Sequence, residues 1–124
     1  MGTIEVGQSV QGQLTTHDYL RRRDSSYAQQ WKLMGTAGQT VTVDLESDAF
    51  DAYVFLSGPG IPSDSTLQDD DAGGNCNARL TVTVAQSGLF YILVNTRNKY
   101  ETGSYTLSVT AGAKPKSLQR CSRR

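Results

Sequence analysis

The sequence predicts an all-β protein, an antiparallel β-sandwich of jelly-roll or Greek-key type with about 7–8 short strands. Three observations carry that expectation. Apolar and polar residues alternate along several short runs, so each run has one face to bury and one to wet. Clusters of turn-forming residues separate these runs, and no stretch carries the 3.6-residue apolar stripe of an amphipathic helix. Composition agrees: only 37% of residues are hydrophobic, and 12 glycines stand among recurrent Thr, Ser, Val and Tyr. A single sheet of this size would leave an apolar face in water, whereas two packed sheets bury both.

The runs follow in order. Ile4 to Leu14 and Gln30 to Met34 are strand candidates, and Val41, Val43 and Leu45 then alternate with Thr40, Thr42 and Asp44. Asp51 to Ser57 comes next. Leu80, Val82 and Val84 alternate with Arg79, Thr81 and Thr83 before the run Leu89 to Asn95, and Tyr105, Leu107 and Val109 repeat the pattern against Ser104, Thr106 and Ser108. Turn signals lie between them at Gly35-Thr36-Ala37-Gly38, Gly58-Pro59-Gly60, Ala72-Gly73-Gly74-Asn75, Gln86-Ser87-Gly88 and Glu101-Thr102-Gly103.

Length and charge bound the rest. A chain of 124 residues and 13.5 kDa suits one domain. Its longest apolar run, Leu89 to Val94, falls far short of the roughly 20 residues that span a bilayer. Met1-Gly2-Thr3-Ile4-Glu5 passes at once into alternating sequence, without the basic region and apolar helix of a secretory leader, which reads as a cytoplasmic protein or a domain of a longer one. The 12 basic and 12 acidic residues are unevenly placed. Lys114, Lys116, Arg120, Arg123 and Arg124 all fall in residues 111–124, leaving residues 1–110 with seven bases, twelve acids and a formal charge of −5. That sign argues against nucleic-acid binding by the body. Residues 111–124 lack periodicity and read as a basic disordered tail, or as a polybasic arm, behind a sandwich domain of 1–110.

No enzyme signature stands out. The only histidine, His17, sits beside Asp18 in a polar stretch, and no nucleophile elbow, phosphate-cradling glycine loop, His-Glu-x-x-His or Cys-x-x-Cys is present. Acids cluster more sharply. Asp44, Glu46, Asp48 and Asp51 lie close together, and Asp69-Asp70-Asp71 opens the next long loop; hard cations such as calcium want such carboxylates. The spacing after Asp69 is not that of an EF-hand. Asp48, Asp51, Asp69 and Asp71 are therefore the candidate calcium ligands, the alternative being that these residues simply form turns. Cys76 and Cys121 either bridge, closing a loop worth about 4 kcal/mol on the chain-entropy estimate, or remain free thiols. Strand alternation also makes a surface: with Ala52, Val54 and Leu56 inward, Tyr53 and Phe55 face out, and with Phe90, Ile92 and Val94 inward, Tyr91 and Leu93 face out. Such outward aromatics mark a partner interface unless another segment covers them.

The order of motifs resembles one family. Gly7-x-x-Val10-x-Gly12-x-Leu14 is followed by Trp31-x-Leu33-x-Gly35-x-x-Gly38-Gln39-x-Val41-x-Val43-x-Leu45-x-Ser47-x-x-Phe50-Asp51-x-Tyr53. Asp69-Asp70-Asp71-x-Gly73-Gly74, Arg79-Leu80, Gly88-x-Phe90-Tyr91-x-x-Val94 and Gly103-x-Tyr105-x-Leu107-x-Val109 complete the series. Over residues 4 to 110 the chain thus resembles the bacterial pre-peptidase C-terminal domain. The resemblance implies a noncatalytic β-sandwich appended to secreted bacterial peptidases and other exported hydrolases, often removed on maturation; a similar module in clostridial collagenases binds the collagen triple helix. It implies an extracellular setting, a parent catalytic domain as partner, and an extracellular protein or polysaccharide as ligand. Some members bind calcium. The collagenase-type site draws on several acids before the first strand, where this chain has only Glu5. The implied function is an accessory or targeting domain assisting substrate binding, secretion or maturation; the alternative is a calcium-stabilised structural or self-association module without an external ligand.

Overall fold

Period-2 alternation becomes nine strands among the residues described by the computed structural model, which are 2–22, 25–61, 67–69 (backbone only) and 77–114. They are β1 (Ser9–Leu14), β2 (Tyr19–Leu20), β3 (Tyr27–Gly35), β4 (Thr40–Glu46), β5 (Ala52–Ser57), β6 (Leu67–Asp69), β7 (Ala78–Thr83), β8 (Gly88–Thr96) and β9 (Gly103–Ala111). No helix occurs among the described residues. One sheet has the order β1-β9-β4-β7 and the other β2-β3-β8-β5-β6, every ladder being antiparallel. Apart from the two-residue β2, the eight strands cross between sheets in the interleaved manner of a jelly roll, as the sequence predicts.

The core lies between the sheets. Val41, Val43 and Leu45 of β4 and Leu107 and Val109 of β9 meet Val54 and Leu56 of β5 and Phe90, Ile92 and Val94 of β8, all buried. Phe50, in the crossing from β4 to β5, closes one end and packs edge-on against Tyr105 at 6.4 Å between ring centroids. The outer face of the four-stranded sheet is polar, and hydroxyls pair across its strands at Thr40–Thr83 and Thr42–Thr81, both 2.9 Å, and Ser9–Ser108, 2.8 Å.

The run Ile4 to Leu14 is not one strand. Thr3 bridges Lys32 in the five-stranded sheet, the chain turns where Gly7 takes φ 93°, and β1 then joins the other sheet. Only glycine adopts that backbone without strain, so the N-terminal segment laces the two sheets together. Ile4, wholly buried, is the apolar pin of that lacing.

A polar chain crosses the core. Tyr105 on β9 donates its hydroxyl proton to Gln29 Oε1 on β3 and accepts a hydrogen bond from Trp31 Nε1 at 3.0 Å. Gln29 Nε2 donates to the Gln13 carbonyl at 2.7 Å and to Asp18 Oδ1 at 3.0 Å, while Asp18 Oδ2 accepts from the Thr15 amide at 2.6 Å. Gly12 leaves room for the Tyr105 ring: a Cβ there would collide with its phenol end.

Two outcomes follow from this packing. Gly12→Ala should lower stability by about 1–3 kcal/mol through overpacking, read as a lower Tm in thermal melts; an unchanged Tm would show that the ring can move aside. Burial, opposed by the Trp31 hydrogen bond and aided by the negative charge of Asp18, raises the Tyr105 pKa above its usual 10.0. The folded protein therefore holds a proton that the unfolded chain releases. The associated stability is complete below about pH 10 and declines as pH rises beyond it toward the folded value. Denaturant melts from about pH 8 to 11 should show this decline, and Tyr105→Phe, although less stable at every pH, should show a shallower one.

Candidate functional site

β5 and β8 lie side by side, with Tyr53 opposite Asn95, Phe55 opposite Leu93 and Ser57 opposite Tyr91. Alternation buries Ala52, Val54, Leu56, Phe90, Ile92 and Val94 and sends Tyr53, Phe55, Tyr91 and Leu93 to the outer face, where each is half-buried. Register extends the patch: Lys32 of β3 faces Tyr91, and Met34, 62% exposed, faces Leu89. The Tyr53 and Phe55 rings stack at 4.8 Å with an interplanar angle of 13°. They form a flat aromatic ledge rather than two independent side chains.

A cation sits on this ledge. The Arg21 guanidinium lies over the Phe55 ring, 4.6 Å from its centroid, while Arg21 Nη1 donates to Asn95 Oδ1 at 2.9 Å. Asn95 is fully buried, and its Nδ2 donates to the Tyr27 carbonyl at 2.6 Å and to Ser26 Oγ at 2.9 Å. The backbone before β3 supports this arrangement, with Ser25 at φ 57° and its carbonyl accepting from the Tyr100 amide at 2.9 Å. Asn95 thus holds Arg21 in place from below. The sequence places Arg21 in a basic run with nothing to distinguish it from Arg22. The available signal was Asn95, a polar residue continuing the outward positions of a long apolar strand.

Such a surface makes contacts rather than bonds. Ring faces offer area, tyrosine hydroxyls exchange hydrogen bonds, and a fixed guanidinium donates to carbonyls or carboxylates. Elsewhere, His17 is exposed and its backbone amide donates to Thr15 Oγ1 at 3.2 Å, whereas the Asp18 carboxylate is engaged by Thr15 and Gln29.

The acidic residues separate. Asp44 is buried in ion pairs with Arg79 Nε at 2.6 Å and Lys114 Nζ at 3.4 Å, which gives it a structural role. Asp48 is exposed; Asp51 is 3% exposed, and its carbonyl accepts from the Arg97 amide at 2.9 Å. The β5–β6 register sets the backbone of Asp69 opposite Val54, near Asp51 along the chain. Asp71, Cys76 and Cys121 lie outside the described residues. Calcium takes 6–8 oxygen ligands, and among the described residues no group of three or more His, Cys, Asp and Glu side chains converges. Asp48 and Asp51 alone do not make such a site.

No curated protein sequence matches this chain. Solved structures do. The pre-peptidase C-terminal domain of a Bacillus anthracis collagenase aligns with a TM-score of 0.66 at 14% identity, covering 88% of this chain and 93% of that one. PliG of Aeromonas hydrophila, a periplasmic inhibitor of g-type lysozyme, aligns at 0.62 with 18% identity over 89% of this chain and 96% of its own. PliG of Salmonella Typhimurium gives 0.59 and 17%, covering 90% and 99%. At these identities the likeness is one of fold. Sequence carries the assignment further, because the family model of the bacterial pre-peptidase C-terminal domain, a noncatalytic attachment of secreted peptidases, matches residues 29–96. That span runs from β3 to the end of β8 and exceeds half the chain. The chain therefore belongs to the bacterial pre-peptidase C-terminal domain family.

Proposed function

We propose that this domain is a noncatalytic targeting module of an exported hydrolase, most naturally a peptidase, and that it holds an extended extracellular ligand against the outer face of β5 and β8. One observation carries this reading: the stacked Tyr53–Phe55 ledge with Arg21 fixed over it. An extended protein chain offers alternating side chains to ring faces and regular carbonyls to a guanidinium. Fibrous protein is accordingly the preferred ligand class, with polysaccharide second.

Retention on insoluble collagen, casein and polysaccharide tests the proposal. Tyr53→Ala and Tyr91→Ala should each weaken binding to the retained ligand by about 30-fold if these are hot spots of 2 kcal/mol. Their Tm should hold within a few degrees, because both side chains already meet solvent. Arg21→Ala should weaken binding as well and also lower Tm, since it takes a partner from buried Asn95. Unimpaired retention of both tyrosine variants would remove the surface from consideration. Unfolding of both would place the tyrosines in a structural role.

A second reading, a calcium-stabilised structural or self-association module, is favoured by the approach of the Asp69 backbone to the start of β5. Its ligands would be Asp48, Asp51, Asp69 and Asp71. A cation binding only the folded state raises stability as RT ln(1 + [L]/Kd), so a melt in about 1 mM calcium should exceed one in excess chelator by several degrees. Equal melting temperatures would leave the acids as turn formers.

A further inference from the structure

Charge divides between the two sheets. Among the described bases, Arg79 and Lys114 are engaged by Asp44 of the four-stranded sheet, whereas Arg21 and Lys32 stand on the outer face of the other. Arg22 and Arg97, both exposed, add to the end where Arg21 lies. None of the outward positions of β3, β5 and β8 is an acid. Glu5 and Asp51 lie at the margins, and Asp51 is buried. A body of formal charge −5 thus carries one basic, partly aromatic face.

Both cations are fixed by their surroundings. Arg21 is anchored between Asn95 Oδ1 and the Phe55 ring. Lys32 is anchored through its backbone: its amide donates to the Gly2 carbonyl at 3.0 Å, and its carbonyl accepts from the Ile4 amide at 2.8 Å. Because both groups point away from β8, Lys32 and Tyr91 form a non-hydrogen-bonded pair, the kind whose Cα atoms lie closest, about 4.5 Å apart. The lysine stem therefore leaves the sheet beside Tyr91. Along β8, Asn95 under Arg21 and Tyr91 beside Lys32 are separated by roughly 13 Å at 3.3 Å per residue. Leu93, opposite Phe55, lies midway.

We propose that this face recognises an extended acidic segment of protein, whose carboxylates at positions i and i+4 pair with Arg21 and Lys32 and whose apolar side chain at i+2 lies on Phe55 and Leu93. The inference rests on the reading of β5 and β8 as the ligand face and adds the chemistry of the ligand. An extended chain repeats its side chains on one side every two residues, about 7 Å, which is the row spacing of the sheet beneath it. A carboxylate meets the fork of a guanidinium with two hydrogen bonds and an ammonium as a point charge. Anchoring of both cations lowers the ordering cost that exposed ion pairs ordinarily carry. Positive charge on both sides of an apolar centre also repels basic segments, so the face selects among extended proteins by sign.

Fluorescence anisotropy of labelled nine-residue peptides with the full chain tests this, at about 20 mM and 500 mM salt. The acidic peptide has glutamate at its third and seventh positions and leucine at its fifth. A neutral peptide has glutamine for both glutamates, and another places the glutamates third and sixth, on opposite sides of the extended chain. The acidic peptide should bind about tenfold more tightly than the neutral one at low salt, and the gap should close at high salt. Moving one glutamate should lose about threefold. Lys32→Gln should reduce the preference by about threefold while leaving the neutral peptide's affinity and the Tm unchanged. Lys32→Glu should instead favour a peptide with one glutamate and one lysine at those positions. Equal affinity, or none, for the acidic and neutral peptides, or an unchanged preference in Lys32→Gln, would overturn the proposal. The ligand face itself would survive that result as long as Tyr53→Ala and Tyr91→Ala still lost retention on the insoluble ligand. Displacement of the acidic peptide by dextran sulfate and not by polyglutamate would overturn it in favour of an anionic polysaccharide.

Discussion

A phenol buried between two sheets cannot be left without partners, because an unsatisfied buried hydroxyl costs about as much as several well-made surface contacts provide. Tyr105 sits in that position, and much of the domain is arranged around it. Its ring requires a glycine on the neighbouring strand, which Gly12 supplies, and its hydroxyl requires a donor and an acceptor, supplied by Trp31 and Gln29. Gln29 in turn has amide protons to place, and these fix Gln13 and Asp18, whose carboxylate orders the turn at Thr15. One side chain on β9 thereby sets the spacing of the sheets, the composition of β1 and the conformation of the loop after it.

Most of the sandwich was legible in the sequence because period 2 is a local signal. The inward set Val41, Val43 and Leu45 and the outward set Tyr53, Phe55, Tyr91 and Leu93 both follow from alternation alone, and both lie where alternation puts them. Alternation says nothing about which strand lies beside which. Hence the sequence presents Ile4 to Leu14 as one run, whereas Gly7 divides it between two sheets, and it offers no hint that Asp44 would be consumed by Arg79 and Lys114. The short strands β2 and β6 carry too few residues for a period to register. Arg21 was invisible for a related reason: its role depends on Asn95, 74 positions away.

The two outer faces divide the chemistry of the molecule. Threonine and serine hydroxyls on the four-stranded sheet pair with one another across strands at Thr40–Thr83, Thr42–Thr81 and Ser9–Ser108. The five-stranded sheet instead presents rings and aliphatic side chains, with Arg21 as the fixed charge among them. The same architecture supports a collagenase domain and lysozyme inhibitors at 14–18% identity. A jelly roll held by its core leaves both outer faces free to diverge, and function resides in those faces rather than in the fold.

The pairing of β1 with β9 has a consequence for how the protein is made. Ser9 and Ser108 touch although 99 positions separate them, and β4 finds neighbours only in β7 and β9. A ribosome must therefore release nearly the whole domain before the four-stranded sheet can close, and closure of such distant segments is slow, on the millisecond-to-second scale of β-sandwiches. Interleaved connectivity thus delays folding without any added device.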